Sequence, residues 1–315
     1  MKSETNTRRG ECGASHADRS GSGRSTDRRR PAGSVAPGSA WALVTGAGSG
    51  IGRCYALRLA ALGYNLVLAG NCREPLEAVR DEICSAGAAA DGADRKAASS
   101  TAGFRPDVRI VEIDLARVDA AAALWEAVQR EGAVVDVLVN NAGIFSFRDI
   151  LQTPAERIER IILLHDLTNT QLCRMAAADM VRRGCRGHIL NMSSFSLWMP
   201  FPGLALYSAS KAYLRSFSVA FAKEVREHGI RVTAVCPAGV ATDLYGLPPR
   251  WQHIGTRLGV LITADSCARR GLRALWRGRR CIVPDWWNRM WIPLCKMLPM
   301  CVLRPIRKFT MKFQK

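Results

Sequence analysis

A run of apolar residues, Trp41–Thr45, breaks directly into Gly46-Ala47-Gly48-Ser49-Gly50-Ile51-Gly52 and then into helical spacing. A strand that turns at once into a helix needs backbone angles that glycine adopts without steric cost. The apolar positions Ile51, Tyr55, Leu59 and Leu62 repeat on one helical face until Gly63 ends it. The same alternation recurs down the chain. Strands are predicted at 65–70, 107–115, 134–139, 188–194, 231–237 and 281–284. Helices are predicted at 74–85, 119–131, 154–180, 207–228 and 264–277.

Strands alternating with helices of ten or more residues imply right-handed crossovers and a mostly parallel sheet covered on both faces. The fold expected is α/β, a single Rossmann-type domain with a doubly wound, mostly parallel sheet and helices on both faces. Its limits are read as 40–284. Residues 1–39 hold almost no large apolar side chains, so they are expected to form a disordered basic extension, and they lack the apolar run of a secretory signal. Residues 86–106 read as a mobile surface insertion, 243–262 as a substrate lid and 285–315 as a basic, apolar tail.

Most of the net charge of +18 sits at the two ends. Residues 1–40 carry twice as many bases as acids, and residues 269–315 carry thirteen bases against the single acid Asp285. The region between is nearly neutral, and its bases follow no recognition fold, so nucleic acid is not an expected partner. The eleven cysteines are scattered without CxxC spacing, and the five histidines lack metal-ligand spacing. Reduced thiols and no structural metal are expected.

The glycine turn suits an anion. Gly46 permits the turn, and bare backbone at Gly50 and Gly52 lets a pyrophosphate reach the amides at the helix N-terminus. Asp114 ends the predicted third strand, a context that supports reading the glycine run as a dinucleotide turn. At the end of the second strand, where a carboxylate would accept ribose hydroxyls, the chain has Asn71, and Arg73 lies two residues on. Without that negative charge a 2′-phosphate is tolerated, which favours NADP(H) over NAD(H). Tyr207 and Lys211 stand one helical turn apart in YSASK, thirteen residues after Ser194. A phenol has an ordinary pKa of about 10, and a cation on the same helix face favours its phenolate. A phenol, an ammonium and a hydroxyl at these spacings are the groups needed to move a proton while a nicotinamide moves a hydride.

With TGAGSGIG at 45–52, Asp114-Leu115, NNAG at 140–143, Ser194, YSASK at 207–211 and PAGVAT at 237–242, the chain resembles the short-chain dehydrogenase/reductase family in its common soluble form. The resemblance is nearest to uncharacterised bacterial oxidoreductases and to ketoacyl and 17β-hydroxysteroid reductases. It implies that Tyr207 is the general acid/base, that Lys211 lowers its pKa and holds the nicotinamide ribose, and that Ser194 bonds the substrate oxygen. It also implies cofactor contacts from Gly46, Gly48, Ser49, Gly50, Ile51 and Gly52, from Asp114 and Leu115, and from Asn141, Ala142 and Gly143. Pro237, Gly239, Val240 and Thr242 complete that set, with Thr242 on the nicotinamide side.

One residue departs from the family pattern. Where an asparagine is usual in the preceding helix, HDLTN places Asp166, expected either to accept hydrogen bonds or to pair with Lys211 and alter the pH profile. The alternative reading is a cofactor-binding regulatory or scaffold protein with little or no turnover.

The segment between Ser194 and Tyr207 is uncharged and bulky, as is much of 243–262, which suits an apolar ketone or secondary alcohol, steroid-like or acyl-chain-like. The tail reads as a packed helix, a subunit contact or a monotopic contact with anionic lipid. A cytoplasmic homodimer or homotetramer is expected, with peripheral membrane contact through the tail.

Overall fold

The structure, a computed structural model, describes residues 33, 35–89, 103–199, 201–242, 249–257, 261–285 and 290. Residues 1–32 and 34 of the predicted extension, 90–102 of the predicted insertion, 243–248 and 258–260 of the predicted lid and all but Asp285 and Met290 of the tail lie outside the described residues.

The strands are β1 (Trp41–Thr45), β2 (Asn65–Gly70), β3 (Val108–Glu112), β4 (Val135–Asn140), β5 (His188–Met192), β6 (Arg231–Val235), β7 (Gly239–Ala241), β8 (Leu261–Thr263) and β9 (Cys281–Ile282). The helices are α1 (Gly50–Ala61), α2 (Arg73–Ala89), α3 (Ala120–Arg130), α4 (Ala155–Ile162), α5 (Asn169–Arg182), α6 (Ala205–Glu224), α7 (Pro249–Arg257) and α8 (Ala264–Trp276).

Among the described residues seven strands form one sheet in the order β3-β2-β1-β4-β5-β6-β9, every pairing parallel. Chain direction across the sheet reverses between β1 and β4, and that switch opens a crevice at the carboxyl ends of the strands. Two apolar layers hold the helices on. Tyr55, Leu59, Leu76 and Leu272 pack α1, α2 and α8 on one face, and Leu124, Leu172, Met180 and Ala222 pack α3, α5 and α6 on the other. Burying a side chain of this size contributes roughly 1.5–3 kcal/mol.

Three features differ from the sequence expectation. The chain joins the domain before Ala40: Val35 and Gly38 donate their amides to Leu62 and Gly63, and Tyr64 donates to the Gly33 carbonyl. The apolar Val35 and Ala40 explain this, because they cover the α1–β2 corner. Helix α2 continues to Ala89, into the predicted insertion, since alanines extend a helix at little cost. The helix predicted over 154–180 is broken by a π-helical turn, Leu163–Thr168, between α4 and α5. Short β7 and β8 pair in parallel beside the crevice. Neither shows strand periodicity at three residues long.

Candidate active site

The crevice is a cleft of about 470 Å³ between the glycine turn and the start of α6. Its nucleotide wall is built from backbone. Gly46 and Gly50 have φ of +62° and +52°, angles that a side chain strains. The Thr45 hydroxyl oxygen accepts the amides of Asn141 and Ala142 at 3.0 and 3.1 Å. Asn141 Nδ2 donates to the Thr45 and Gly46 carbonyls, both at 3.1 Å. These bonds tie the loop after β4 to the turn after β1, so the two strand ends at the switch point move together. Gly46, Gly50 and Gly143 leave a floor free of side chains, Ser49 and Ile51 border it, and the cradle fits the pyrophosphate of a dinucleotide.

Gly52 serves a different purpose from the one expected. A Cβ there would lie 2.0 Å from the Gly46 carbonyl oxygen, so its bare backbone admits the turn rather than a ligand. Likewise a Cβ on Gly48 would come within 2.9 Å of Pro75.

Gly70, Asn71, Ile113, Asp114 and Leu115 also line the cleft. Asp114 accepts the Ala116 amide at 2.9 Å and pairs with Arg160 at 3.0 Å, and the amide first and Arg160 second hold its carboxyl below the usual range. Arg160, one helical turn into α4, lines the cleft, and no motif announced it. Arg73 does not line the cleft: it is exposed and paired with Glu77 at 3.4 Å and Glu112 at 3.6 Å. Gly239 also stands behind the lining, whereas Pro237, Val240 and Thr242 reach it.

The opposite wall is built from buried side chains. Ser194 follows β5, and Tyr207 and Lys211 project from the first turns of α6. All three are buried and line the cleft. The end of β5 fixes the helix: Ser193 donates its hydroxyl to the Lys211 carbonyl at 2.7 Å, and Lys211 Nζ donates to the Met192 carbonyl at 3.0 Å. Burial pushes the Tyr207 phenol up to about 12, and its hydrogen bond with Ser194 pulls the other way. Burial also pushes the Lys211 ammonium down to about 8, against the favourable charge of Asp166. The ammonium lies 5.7 Å from the centre of the Tyr207 ring. A cation that near lowers the cost of forming a phenolate, and the charge of a bound oxidised nicotinamide would add to it.

Asp166 stands near enough for its charge to act on Lys211. Among the described residues it makes no ion pair with Lys211 within 4.0 Å, and its buried Oδ1 has no hydrogen-bond partner. Burial raises its carboxyl to about 6. The fully buried neighbour His165 is the residue that reaches inward, with Nε2 on the Ile144 amide at 3.0 Å and Nδ1 on Ser210 Oγ at 2.9 Å. Phe145 and His165 pack edge-on against Tyr207 at 5.1 and 5.9 Å. Sequence reasoning missed Phe145, Arg160 and His165, since none carries a spacing signal of its own.

A sequence profile described as short chain dehydrogenase matches residues 40–101 and 90–251, well over half the chain. The protein therefore belongs to the short-chain dehydrogenase/reductase family, whose members are nicotinamide-dependent oxidoreductases. Among its relatives, a very-long-chain 3-oxoacyl-CoA reductase of Pyrenophora tritici-repentis is 33% identical over 201 residues, 63% of this chain and 54% of that protein. An uncharacterized oxidoreductase of Myxococcus xanthus is 34% identical over 203 residues, 64% of this chain and 73% of that protein. The chain thus spans about half the length of several curated relatives that it matches. A solved short-chain dehydrogenase from Sphingobium yanoikuyae in complex with NADPH superimposes with a TM-score of 0.66 at 28% identity, covering 87% of this chain and 95% of that one.

Proposed function

We propose that the protein reduces an apolar ketone, or oxidises the matching secondary alcohol, with NADP(H) as the hydride carrier. The observation that carries this reading is the buried Ser194–Tyr207–Lys211 group facing a side-chain-free cradle across one cleft. When bound, the dihydronicotinamide supplies a hydride to the carbonyl carbon. Ser194 and Tyr207 bind the carbonyl oxygen, Tyr207 gives it a proton, and Lys211 stabilises the phenolate left behind. In the oxidative direction Tyr207 takes that proton back.

NADP(H) is favoured by the uncharged Asn71 at the end of β2, with Arg73 opening α2 beside it. Arg73 meets a 2′-phosphate only by leaving Glu77 and Glu112, which is an inexpensive exchange for exposed pairs. An apolar substrate is supported by Phe145 and Leu164 in the cleft, by the uncharged turn Phe195–Trp198, and by the acyl chain implied in the name of the fungal relative. The stacked row Tyr213, Phe217 and Phe221 along α6 suits a homodimer or homotetramer contact. No helix among the described residues is long and apolar enough to cross a membrane. The reading is of a cytoplasmic enzyme whose basic tail contacts anionic lipid peripherally.

Assay of the purified full chain against long-chain 3-oxoacyl thioesters, steroid ketones and bulky aryl ketones, with NADPH and NADH in parallel, tests the proposal. Turnover of an apolar ketone with NADPH is expected. Cofactor binding without turnover of any carbonyl would return the protein to the scaffold class.

A further inference from the structure

We infer that His165, held as its Nδ1–H tautomer, is a positioning residue that locks the loop after β4 to α6 and so fixes Tyr207 over the cleft. The inference rests on the proposed oxidoreductase reading for its kinetic consequence, but its geometry stands apart from it.

The direction of each bond follows from the donors. A backbone amide only donates, so the Ile144 N–H at 3.0 Å requires a lone pair on Nε2. The proton of a neutral ring then sits on Nδ1, which donates to Ser210 Oγ at 2.9 Å, and Ser210 passes its own hydrogen to the Tyr207 carbonyl at 2.9 Å. A protonated ring would set two N–H groups against each other at Ile144. Burial first, and the nearby Lys211 charge second, hold the imidazole well below its ordinary range. The groups facing it are Lys211, Tyr207, Ser210 and, next along its own turn, Asp166. A Cβ placed on Gly143 would meet His165 Nε2 at 3.2 Å and Lys211 Nζ at 3.5 Å, so both side chains close on the same point of the loop.

His165 lies within the π-helical turn Leu163–Thr168. Widening one turn shifts the residues after it around the helix axis relative to an uninterrupted α-helix. His165 is wholly buried while Asp166 is only partly so. The same ring also packs edge-on against Tyr207, as does Phe145, whose loop His165 restrains. Loss of its two bonds frees the loop and the first turn of α6 together, and misplacement of a reacting group by about 1 Å costs on the order of 100-fold in rate.

Two substitutions separate hydrogen bonding from shape. His165→Phe keeps a ring and loses both bonds, whereas His165→Gln loses the ring and can accept from Ile144 while donating to Ser210. The Phe variant is expected to lose on the order of 10- to 100-fold in kcat, with the ketone KM and the NADPH Kd changed less than about threefold. The Gln variant should recover at least about tenfold of that loss. A full kcat in the Phe variant, or equal losses in both, would overturn the inference.

Two readouts need no turnover, and so judge His165 even if the oxidoreductase reading fails. Nitrogen-15 spectra of the imidazole should show a protonated Nδ1 and no titration from about pH 5 to 8. Exchange of the Ile144 amide should quicken about tenfold in the Phe variant. An Nε2–H tautomer, or unchanged exchange at Ile144, sinks the proposal.

Discussion

Along the nucleotide wall, from Gly46 to Ala142, the cleft is shaped by backbone meeting backbone, and what it cannot tolerate is volume. Gly52 shows this in one contact, since its Cβ would stand 2.0 Å from the Gly46 carbonyl. Across the cleft, Tyr207, Lys211 and His165 are side chains whose ionisation has been moved by burial, with the Ser194 hydroxyl bonded to the phenol, and what that wall cannot tolerate is a change of hydrogen bonding or charge. The first wall is a steric mould and the second an electrostatic one. Substitutions should therefore fail in different ways on the two sides: by lost affinity and stability on the first, by lost turnover with intact binding on the second.

The sharpest test of that contrast is Tyr207→Phe. Removing the phenolic proton should cut turnover by roughly 10²- to 10⁴-fold. NADPH affinity should stay within a few fold in a fluorescence titration. Joint loss of affinity and turnover would show that the walls are not separable.

On the other wall Gly52→Ala should lower stability by about 3 kcal/mol, because the neighbour it meets is backbone and cannot swing aside. The control is Gly184→Ala, where φ is +64° but nothing lies within 4 Å of the added carbon. It should cost only about 1 kcal/mol, for backbone strain alone. Equal denaturation midpoints for the two variants would refute the steric account of Gly52.

Asp166 probes the electrostatic wall through pH. Its folded carboxyl titrates near 6, above the ordinary value, so the native protein holds that proton more tightly than the unfolded chain does. The stability this contributes is fully present below the ordinary carboxylate pKa, about 4, and is lost as pH rises through about 6. Asp166→Asn imitates the neutral acid. It should match the wild type near pH 4 and exceed it above pH 6 by about 1 kcal/mol, the partly exposed group being screened by solvent. Melting curves across that range that stay parallel would mean the carboxyl is not strained.

The smallest effect is expected at Arg73, the exposed cation beside the nucleotide wall that is proposed to meet a 2′-phosphate. Arg73→Ala should weaken NADPH by about threefold and leave NADH unchanged, as befits an exposed cation. NADH binding tenfold tighter than NADPH in the unaltered protein would remove the NADP(H) reading altogether.

Much of this was legible in the amino-acid order. The glycine turn, the strand–helix alternation and YSASK are local patterns: a turn, a period and an i,i+4 pair are each decided within a few residues, so β1, β2, α1, α8 and the Tyr207–Lys211 face fell within a residue or two of their expected places. Chain spacing also located Ser194, because it stands two residues past β5, a strand that the sheet order carries to the cleft.

What only the tertiary structure decided concerns residues whose role depends on distant neighbours. Gly52 matches the glycine motif, yet its partner is a carbonyl rather than a ligand. Arg160 meets Asp114 across the cleft, and Arg73, which the sequence placed at the cofactor, is paired with Glu77 and Glu112 outside it. The resemblance put Asp166 at the usual asparagine's position, but within the π-helical turn it is His165 that bonds the loop after β4 and α6. The physical reason is common to all four. Local spacing fixes which residues share a face, whereas burial, close approach and charge pairing are set by elements far apart in sequence, and here those terms choose which side chain does the chemistry's supporting work.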